Sequence, residues 1–366
     1  MRSQNQSHNA QIQETFAFYS RPGRLVKKNY AERKRALGQA SRFKIASSAF
    51  SVFLPYIFRC VRRYPGIAMS LKSLLVVLLL SAVAAAQAAE TAARKKIVLI
   101  AGKKSHGPEG NRIHDYPWSV KLLKVMFENS NVKEQVQVDF YRDGWPKDER
   151  SLETADTIMV ISDGRDGDQY SEAPYLESEE RIAFVARQMK RGCGFVTFHF
   201  STFAPDKYAE QALNWTGGYF DWETDGKRQW YSAITTMETN VSLLSPSHPV
   251  CRGVHPFKMK EEFYYNIRFT PGDKRLTPLL SVPGLPGREP DGRVVAWARE
   301  REDGGRGFGT TCGHFYDNWK NDQFRKFIMN AIAWAAHVQI PTDGVQARYY
   351  EHEEIEAELA KGNARR

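Results

Sequence analysis

Three histidines and one glutamate stand out in this chain because their types suit metal binding or acid–base chemistry: His106, His199, His314 and Glu262. Neutral imidazoles and a carboxylate would bind a zinc-like divalent ion and leave a coordination position for water or a substrate hydroxyl. Without a metal the same groups could move protons, with Glu262 buried and its pKa raised. Since the histidines are not spaced i, i+4, only the tertiary fold can bring them together.

His199 has the most informative position of the four. It ends the continuous apolar run 194–198, which follows a basic stretch that stops at Gly192. A helix that ends at glycine and leads into such a run is typical of the helix-to-strand step in a parallel sheet. His199 is therefore predicted at the carboxyl end of a central strand, where open α/β sheets bind ligands. The alternative is a core histidine that bonds a neighbouring carbonyl.

The elements that must position these residues alternate along the chain. Buried strands are predicted over 95–102, 136–141, 157–162 and 194–199, with helices over 118–129 and 177–191. This alternation predicts an α/β domain with a doubly wound, mostly parallel sheet. Mostly antiparallel extension strands are predicted over 232–236, 262–269, 276–282, 293–299 and 307–311, followed by a helix over 321–336.

The net charge of +10 does not belong to the predicted domain. The first 88 residues hold 14 of the 52 basic residues and only 2 of the 42 acidic ones, which leaves 38 basic and 40 acidic residues in the rest. The excess of basic residues is the main support for nucleic-acid binding, and a domain with balanced charge removes that support. Nucleic acid is therefore not an expected partner.

The basic segment contains the pattern of a secretory signal. Met69 and Lys72 precede an apolar core over 74–83, and an Ala-Gln-Ala cleavage site lies at 86–88. The apolar core is too short for a comfortable membrane span, so no stable membrane span is expected after processing. We expect a periplasmic or secreted protein.

The expected organisation has four parts. They are a misassigned or presequence segment over 1–68, a signal peptide over 69–89, one domain over 95–341 and a polar tail over 342–366 with at most a short helix. The exported part holds three cysteines, an odd number without C-x-x-C spacing, which argues against a disulfide framework and a cysteine zinc site. Buried free thiols are expected, with one disulfide and one leftover thiol as the alternative.

The polar stretches between the predicted elements resemble those of the ThuA-like family, in the class I glutamine amidotransferase-like superfamily. Five motifs occur in the order of that family, and the resemblance covers nearly all of 95–341. They are SDGRDGD at 162–168, MKRGCGFVTFHF at 189–200, NWTGGYF at 214–220, HPVCRGVHPFKMKEEFYYN at 248–266 and GGRGFGTTCGHFYDNW at 304–319.

The resemblance implies a flavodoxin-like fold and a role in carbohydrate metabolism, through trehalose utilisation and keto-sugar processing. Glutamine amidotransferase activity is not expected, because that chemistry needs a thiolate at the strand-to-helix elbow. His199 lies in that region, whereas Cys193 lies at the opposite end of the strand. The loop 108–115 is longer than the compact pattern of close relatives, so His114 is not matched to the family histidine.

The candidate site follows from these positions. The predicted catalytic residues are His199, Glu262 and His314; the predicted ligand-binding residues are His106, Asp163, Tyr264, Trp297 and Trp319; and the predicted metal ligands are His106, His199 and His314. Aromatic faces beside polar groups suit a sugar ring, so a small carbohydrate is the expected partner.

Two functions remain open at this point. One is an exported enzyme that acts on a sugar, keto-sugar or glycoside by acid–base or metal-assisted chemistry. The other is a non-catalytic module that binds a carbohydrate or docks a partner. A buried Glu262 that faces two histidines would favour the enzyme, and a shallow aromatic groove without converging titratable groups would favour the module.

Overall fold

The computed structural model describes residues 93–364, apart from residues 109, 167–168, 171–172, 222, 225–226, 229 and 289. By its internal contacts the chain divides at residues 90 and 91, and the described residues belong to the second unit. The predicted presequence and signal peptide lie outside the described residues. Within the described part, no helix combines the length and the apolar character that crossing a membrane requires.

A nine-stranded sheet forms the centre of the domain. Its strands are β1 (Lys95–Ala101), β2 (Val136–Tyr141), β3 (Thr157–Ile161), β4 (Gly194–Phe198), β5 (Ala233–Leu243), β6 (Phe257–Tyr265), β7 (Leu276–Ser281), β8 (Val294–Glu300) and β9 (Arg306–Thr310). Their order across the sheet is β6-β5-β7-β8-β9-β4-β3-β1-β2. Two-residue strands form three further short pairs: Arg165–Asp166 with Gln169–Tyr170, Gly218–Tyr219 with Arg268–Phe269, and Glu223–Thr224 with Lys227–Arg228.

The sheet has a parallel half and an antiparallel half. Strands β2, β1, β3, β4 and β9 pair in parallel, and β8, β7, β5 and β6 extend the sheet with antiparallel pairing. The predicted α/β class, with a doubly wound, mostly parallel sheet and antiparallel extension, is confirmed. β9 differs in detail, because it pairs in parallel with β4 and so belongs to the parallel half as well as to the extension.

Helices cover both faces of the parallel half. They are α1 (Tyr116–Glu128), α2 (Arg150–Glu153), α3 (Glu179–Lys190), α4 (Ala209–Trp215), α5 (Asp322–Ala335) and α6 (His352–Ala364). Alternate residues of β1 separate the two cores: Ile97 and Leu99 pack in the cluster that contains residues of α1 and α5, and Val98 and Ile100 pack in the cluster that contains residues of α3. This alternation is what a strand buried on both faces requires.

The β5–β6 hairpin is longer than the sequence indicated. β5 runs over 11 residues, and nine register pairs join it to β6. Its residues alternate between half-buried and exposed positions and are rich in threonine, so the segment carries a weak hydrophobic pattern. Pairing with β6 stabilises the strand instead, and β6 carries Glu261 and Glu262.

The C-terminal segment packs on the domain. The rings of Trp118 and His352 stack with centroids 3.7 Å apart, and Ile355 of α6 is fully buried. Lys121 of α1 pairs with Glu356 of α6. The predicted polar tail therefore contains a docked 13-residue helix.

The close packing of Gly309 in β9 leads to a first prediction. A Cβ on Gly309 would lie 2.3 Å from Cζ2 of Trp297, whose ring is fully buried. We expect Gly309→Ala to lower the free energy of unfolding by about 1–3 kcal/mol, because the ring cannot move without strain. Chemical denaturation measures the change. Gly362→Ala is the matched control, since nothing lies within 4 Å of that position; equal stability of the two variants would contradict the packing argument.

Candidate active site

His199 lies at a strained turn directly after β4. It is the first residue of a 3-10 turn, His199–Thr202, and its φ is 54°. Left-handed backbone is uncommon for a residue with a side chain and is found at functional sites. The Thr202 hydroxyl donates to the His199 carbonyl at 2.7 Å and helps to hold the turn.

The imidazole of His199 is fully buried, and its two nitrogens have different neighbours. Nδ1 lies 2.7 Å from the carbonyl oxygen of Thr311, so we assign the proton to Nδ1 and a lone pair to Nε2. Nε2 lies 2.8 Å from the hydroxyl of Tyr264 and 3.0 Å from Nε2 of His114. His199 thus bonds a neighbouring carbonyl, as the core interpretation requires, and also presents a lone pair to other polar side chains.

The loop after β1 brings two more histidines to this edge of the sheet. His106 and His114 both have positive φ, at 59° and 46°. Lys104 donates from Nζ to three carbonyls of the loop, at Ser105, Gly107 and Ile113. The backbone N–H of His114 donates to the carbonyl of His314 at 3.0 Å, which joins this loop to the turn after β9.

Glu261 positions that turn. Its buried carboxylate accepts from the backbone N–H groups of Gly313 and His314, at 2.9 and 3.1 Å, and from the Asn318 amide at 2.9 Å. Gly313 is needed there, because a Cβ would lie 2.2 Å from Cε1 of Phe198 and its φ is 135°. Burial raises the pKa of Glu261 to about 7 although its backbone donors favour the charged form.

Glu262, the next residue, faces the histidines. Its Oε2 lies 3.2 Å from Nδ1 of His314 and 3.8 Å from Nε2 of His199. Burial favours the neutral carboxyl, but His314 and His199 outweigh burial, and the pKa of Glu262 is lowered. The sequence-based expectation of a raised pKa is therefore wrong for Glu262, and the rise occurs at Glu261.

Two groups of side chains in the described part of the chain could hold a metal ion. The first contains His114, His199, Glu262 and His314, and the second contains His106, His114 and Asp163. Within each group the ligand atoms all lie within 4.8 Å of one another. His114 belongs to both groups.

The buried histidines are held in the neutral form that metal binding requires. Burial is the largest cause, and it lowers the pKa of His199 well below its usual value, with His114 and His314 adding to the effect. Burial, followed by His106 and His314, lowers the pKa of His114 to about 2. Both imidazoles therefore keep one unprotonated nitrogen at neutral pH.

The other predicted ligand-binding residues occupy different environments. His106 is exposed beside the group, with its ring centroid 4.1 Å from that of His114 and 6.4 Å from that of His314. Asp163 accepts from the Ser105 and Tyr116 hydroxyls. Tyr264 contacts His199, as described above.

Trp297 and Trp319 lie in the core. The indole of Trp297 is fully buried and donates to the carbonyl of Thr216, and that of Trp319 donates to the Ser119 hydroxyl. Neither ring offers an exposed face to a ligand.

The strand-to-helix elbow contains no thiol. Cys193 precedes β4, and burial raises its pKa to about 12, so the thiolate is disfavoured. Cys251 and Cys312 are likewise buried and free, which agrees with the expectation of unpaired thiols. The elbow itself is occupied by His199.

Sequence reasoning missed three residues of this site: Ser105, His114 and Glu261. Ser105 and His114 lie after β1, and the argument that selected His106 applies equally to them because that loop ends at the same sheet edge. Glu261 gives no comparable signal, since adjacent glutamates on a strand do not reveal which one faces inward.

The family model for trehalose utilisation (ThuA) proteins matches residues 103–335. The chain belongs to the ThuA family. Comparison with curated proteins finds no match. Solved structures similar to this ThuA protein include a putative ThuA-like protein from Bacteroides uniformis, at 15% identity and a TM-score of 0.48, covering 67% of this chain and 92% of the other.

Two other solved structures resemble it at similar distance. A putative ThuA-like protein from Parabacteroides merdae has 18% identity and a TM-score of 0.45, and the match covers 70% of this chain and 98% of the other. A cytoplasmic protein from Salmonella typhimurium has 14% identity and a TM-score of 0.40, with 67% and 98% covered.

The different contacts of Glu261 and Glu262 lead to a second prediction. We expect Glu261→Gln to lower the free energy of unfolding by about 1–3 kcal/mol, because an amide places a donor against backbone donors in a buried position. Glu262→Gln, the matched variant, should change stability less and instead weaken binding of divalent ions. Thermal unfolding and metal titration of both variants measure the two effects. Identical behaviour of the variants would contradict the assigned roles.

Proposed function

We propose that this ThuA protein is an enzyme that acts on a sugar or keto-sugar with the help of a divalent metal ion. One observation supports the proposal above the others: Glu262 faces His199 and His314, and His114 lies against His199. Converging titratable groups of this kind favour an enzyme over a module that only binds carbohydrate.

The spacing of the first group fits a small divalent ion. Tetrahedral ligands about 2.0–2.1 Å from zinc lie about 3.3 Å from one another. The structure has 3.0 Å between Nε2 of His114 and His199, 3.8 Å between His199 Nε2 and Glu262 Oε2, and 3.2 Å between Glu262 Oε2 and His314 Nδ1. Two of these ligand-to-ligand distances are slightly shorter than the tetrahedral separation and one is longer, so an ion could be held with small side-chain movements.

His314 supplies a further test of the fit. Its Nδ1 is buried and forms no hydrogen bond within the described residues, although Oε2 of Glu262 lies 3.2 Å away. Buried polar atoms of native proteins are almost always satisfied, and an unseen ion is one reason for an exception. A metal ligand at this nitrogen accounts for it.

The side chains have distinct roles in this proposal. A bound divalent ion would supply Lewis-acid chemistry, polarising a sugar carbonyl or hydroxyl. Glu262 is the most exposed member of the group, with 23% of its side chain accessible, so a substrate would approach the ion from the side of this carboxylate. The Tyr264 hydroxyl lies 2.8 Å from Nε2 of His199, and an ion bound at that nitrogen would free the hydroxyl to bond a substrate oxygen.

A sugar is the proposed substrate because of the family and the rim of the site. The family is described by trehalose utilisation. Phe200 and Phe315 are half-buried beside the histidines, with Phe200 6.1 Å from the His106 ring and Phe315 4.6 Å from the His314 ring. Aromatic faces next to polar groups suit a sugar ring.

Metal dependence is the third prediction. The purified protein, stripped with a chelator and reloaded, should bind one equivalent of zinc or a similar ion and convert glycosides or keto-glycosides only when loaded. His314→Ala should weaken metal binding by at least about 100-fold, since it removes a ligand. His255→Ala is the control, because that histidine is exposed and outside both groups. Turnover by the stripped protein would contradict metal assistance. Sugar binding without turnover would favour the alternative, a non-catalytic module that binds carbohydrate.

Export is the fourth prediction. We propose that Met69 is the true start and that processing leaves a mature chain that begins near Ala89, in the periplasm or outside the cell. Mass spectrometry of the native protein from each cell fraction measures the N-terminus. A cytoplasmic chain that retains residues 74–83 would contradict export.

A further inference from the structure

The hydroxyl of Ser105 lies where three side chains of the site meet. Its Oγ is 2.6 Å from Oδ1 of Asp163, 2.8 Å from Nδ1 of His114 and 2.9 Å from Nδ1 of His106. Asp163 is buried and also accepts from the Tyr116 hydroxyl at 2.9 Å. The loop that carries Ser105 is held by Lys104, so this contact belongs to an ordered network.

The number of available protons fixes the direction of each hydrogen bond at the Ser105 hydroxyl. A serine hydroxyl has one proton to donate and two lone pairs, and an ionised carboxylate only accepts. The single proton of Ser105 must therefore point to Asp163, at the shortest of the three distances. The two imidazoles then donate to the hydroxyl, which places a proton on Nδ1 of both His106 and His114.

We propose that Ser105, oriented by Asp163, is a positioning residue that fixes the tautomer of His114 and so aims its Nε2 lone pair at the metal site. The inference deepens the proposed function and rests on it for the metal alone. With Nδ1 protonated, Nε2 of His114 faces Nε2 of His199 across 3.0 Å. His199 also has a lone pair there, because its Nδ1 proton bonds the Thr311 carbonyl.

The Tyr264 hydroxyl lies 2.8 Å from Nε2 of His199 and can donate to it, whereas the lone pair of His114 faces that of His199 across 3.0 Å. Facing lone pairs repel each other unless positive charge lies between them. A divalent cation provides the charge and uses both lone pairs as ligands. Histidine ligands commonly donate their second nitrogen to a carboxylate or other acceptor that holds the ring. Here Nδ1 of His114 lies 2.8 Å from the Ser105 hydroxyl, which bonds Asp163, and 3.3 Å from Oδ1 of Asp163 itself.

The same count excludes two other roles for these residues. The second candidate metal group, His106, His114 and Asp163, has its centre filled by the Ser105 oxygen, so the structure supports one ion and not two. Ser105 is also no nucleophile of a serine triad, because both histidines donate to it and neither is placed to take its proton.

Asp163→Asn gives the sharpest test. An asparagine of the same shape no longer requires the Ser105 proton, so the hydroxyl can turn and donate to Nδ1 of His114. We expect the His114 proton to move to Nε2, as when the orienting aspartate of a catalytic triad is replaced. Long-range ¹H–¹⁵N correlation spectra of the metal-free protein report the tautomer directly, independent of activity.

Ser105 variants provide the matched controls. Ser105→Thr keeps the hydroxyl and should keep the wild-type His114 tautomer and affinity for zinc or cobalt. Ser105→Ala and Asp163→Asn should each weaken metal affinity by about 10–100-fold and shift the visible spectrum of the cobalt-loaded protein. Thermal unfolding of the metal-free proteins separates this loss from misfolding.

The outcomes distinguish this inference from the proposed function. Nε2–H on His114 of the wild type, or an unchanged tautomer in Asp163→Asn, would overturn the role of Ser105 whether or not metal binds. Two equivalents of metal on the wild type would overturn it as well. The predicted tautomers without any metal binding would support Ser105 and contradict the metal-dependent function.

Discussion

The hydrogen bond between Nδ1 of His199 and the carbonyl of Thr311 is the contact on which the site depends. It joins the ends of β4 and β9, two parallel neighbours at the centre of the sheet, at 2.7 Å. Because one ring nitrogen is used by the backbone, the other must face Tyr264, His114 and Glu262. A structural role and a functional role for His199 are therefore not alternatives, since each belongs to a different nitrogen of the same ring.

Backbone strain accompanies this arrangement. Of the six non-glycine residues with positive φ in the described part of the chain, three are His106, His114 and His199. Such conformations cost about 1–3 kcal/mol each and persist only where their surroundings hold them. Lys104 supplies that support to the loop after β1, and Glu261 supplies it to the turn after β9. The imidazoles are thus held in place before any ligand binds, which is the preorganisation that catalysis in a polar site requires.

Three strands of the parallel half, β1, β3 and β4, could be predicted from the sequence because they are continuous apolar runs. The same logic placed His199 at a strand end and His314 in the turn after the last strand. The sequence does not distinguish a buried aromatic residue from one that binds a sugar. Trp297 is predicted to bind a ligand, yet its ring packs on Gly309 in the core. His114 could have been selected by the argument that selected His106, since both lie in the loop after β1. Glu261 could not, because its role depends on which face of one long hairpin points inward, which no local pattern encodes.

His114, His199, Glu262 and His314 are proposed to hold one divalent ion. Anomalous diffraction at the zinc absorption edge, from crystals of the zinc-loaded protein, would locate that ion. We expect one peak within about 2.0–2.2 Å of Nε2 of His114, Nε2 of His199, a Glu262 oxygen and Nδ1 of His314. A peak between His106 and Asp163, or no peak among these four side chains, would contradict it.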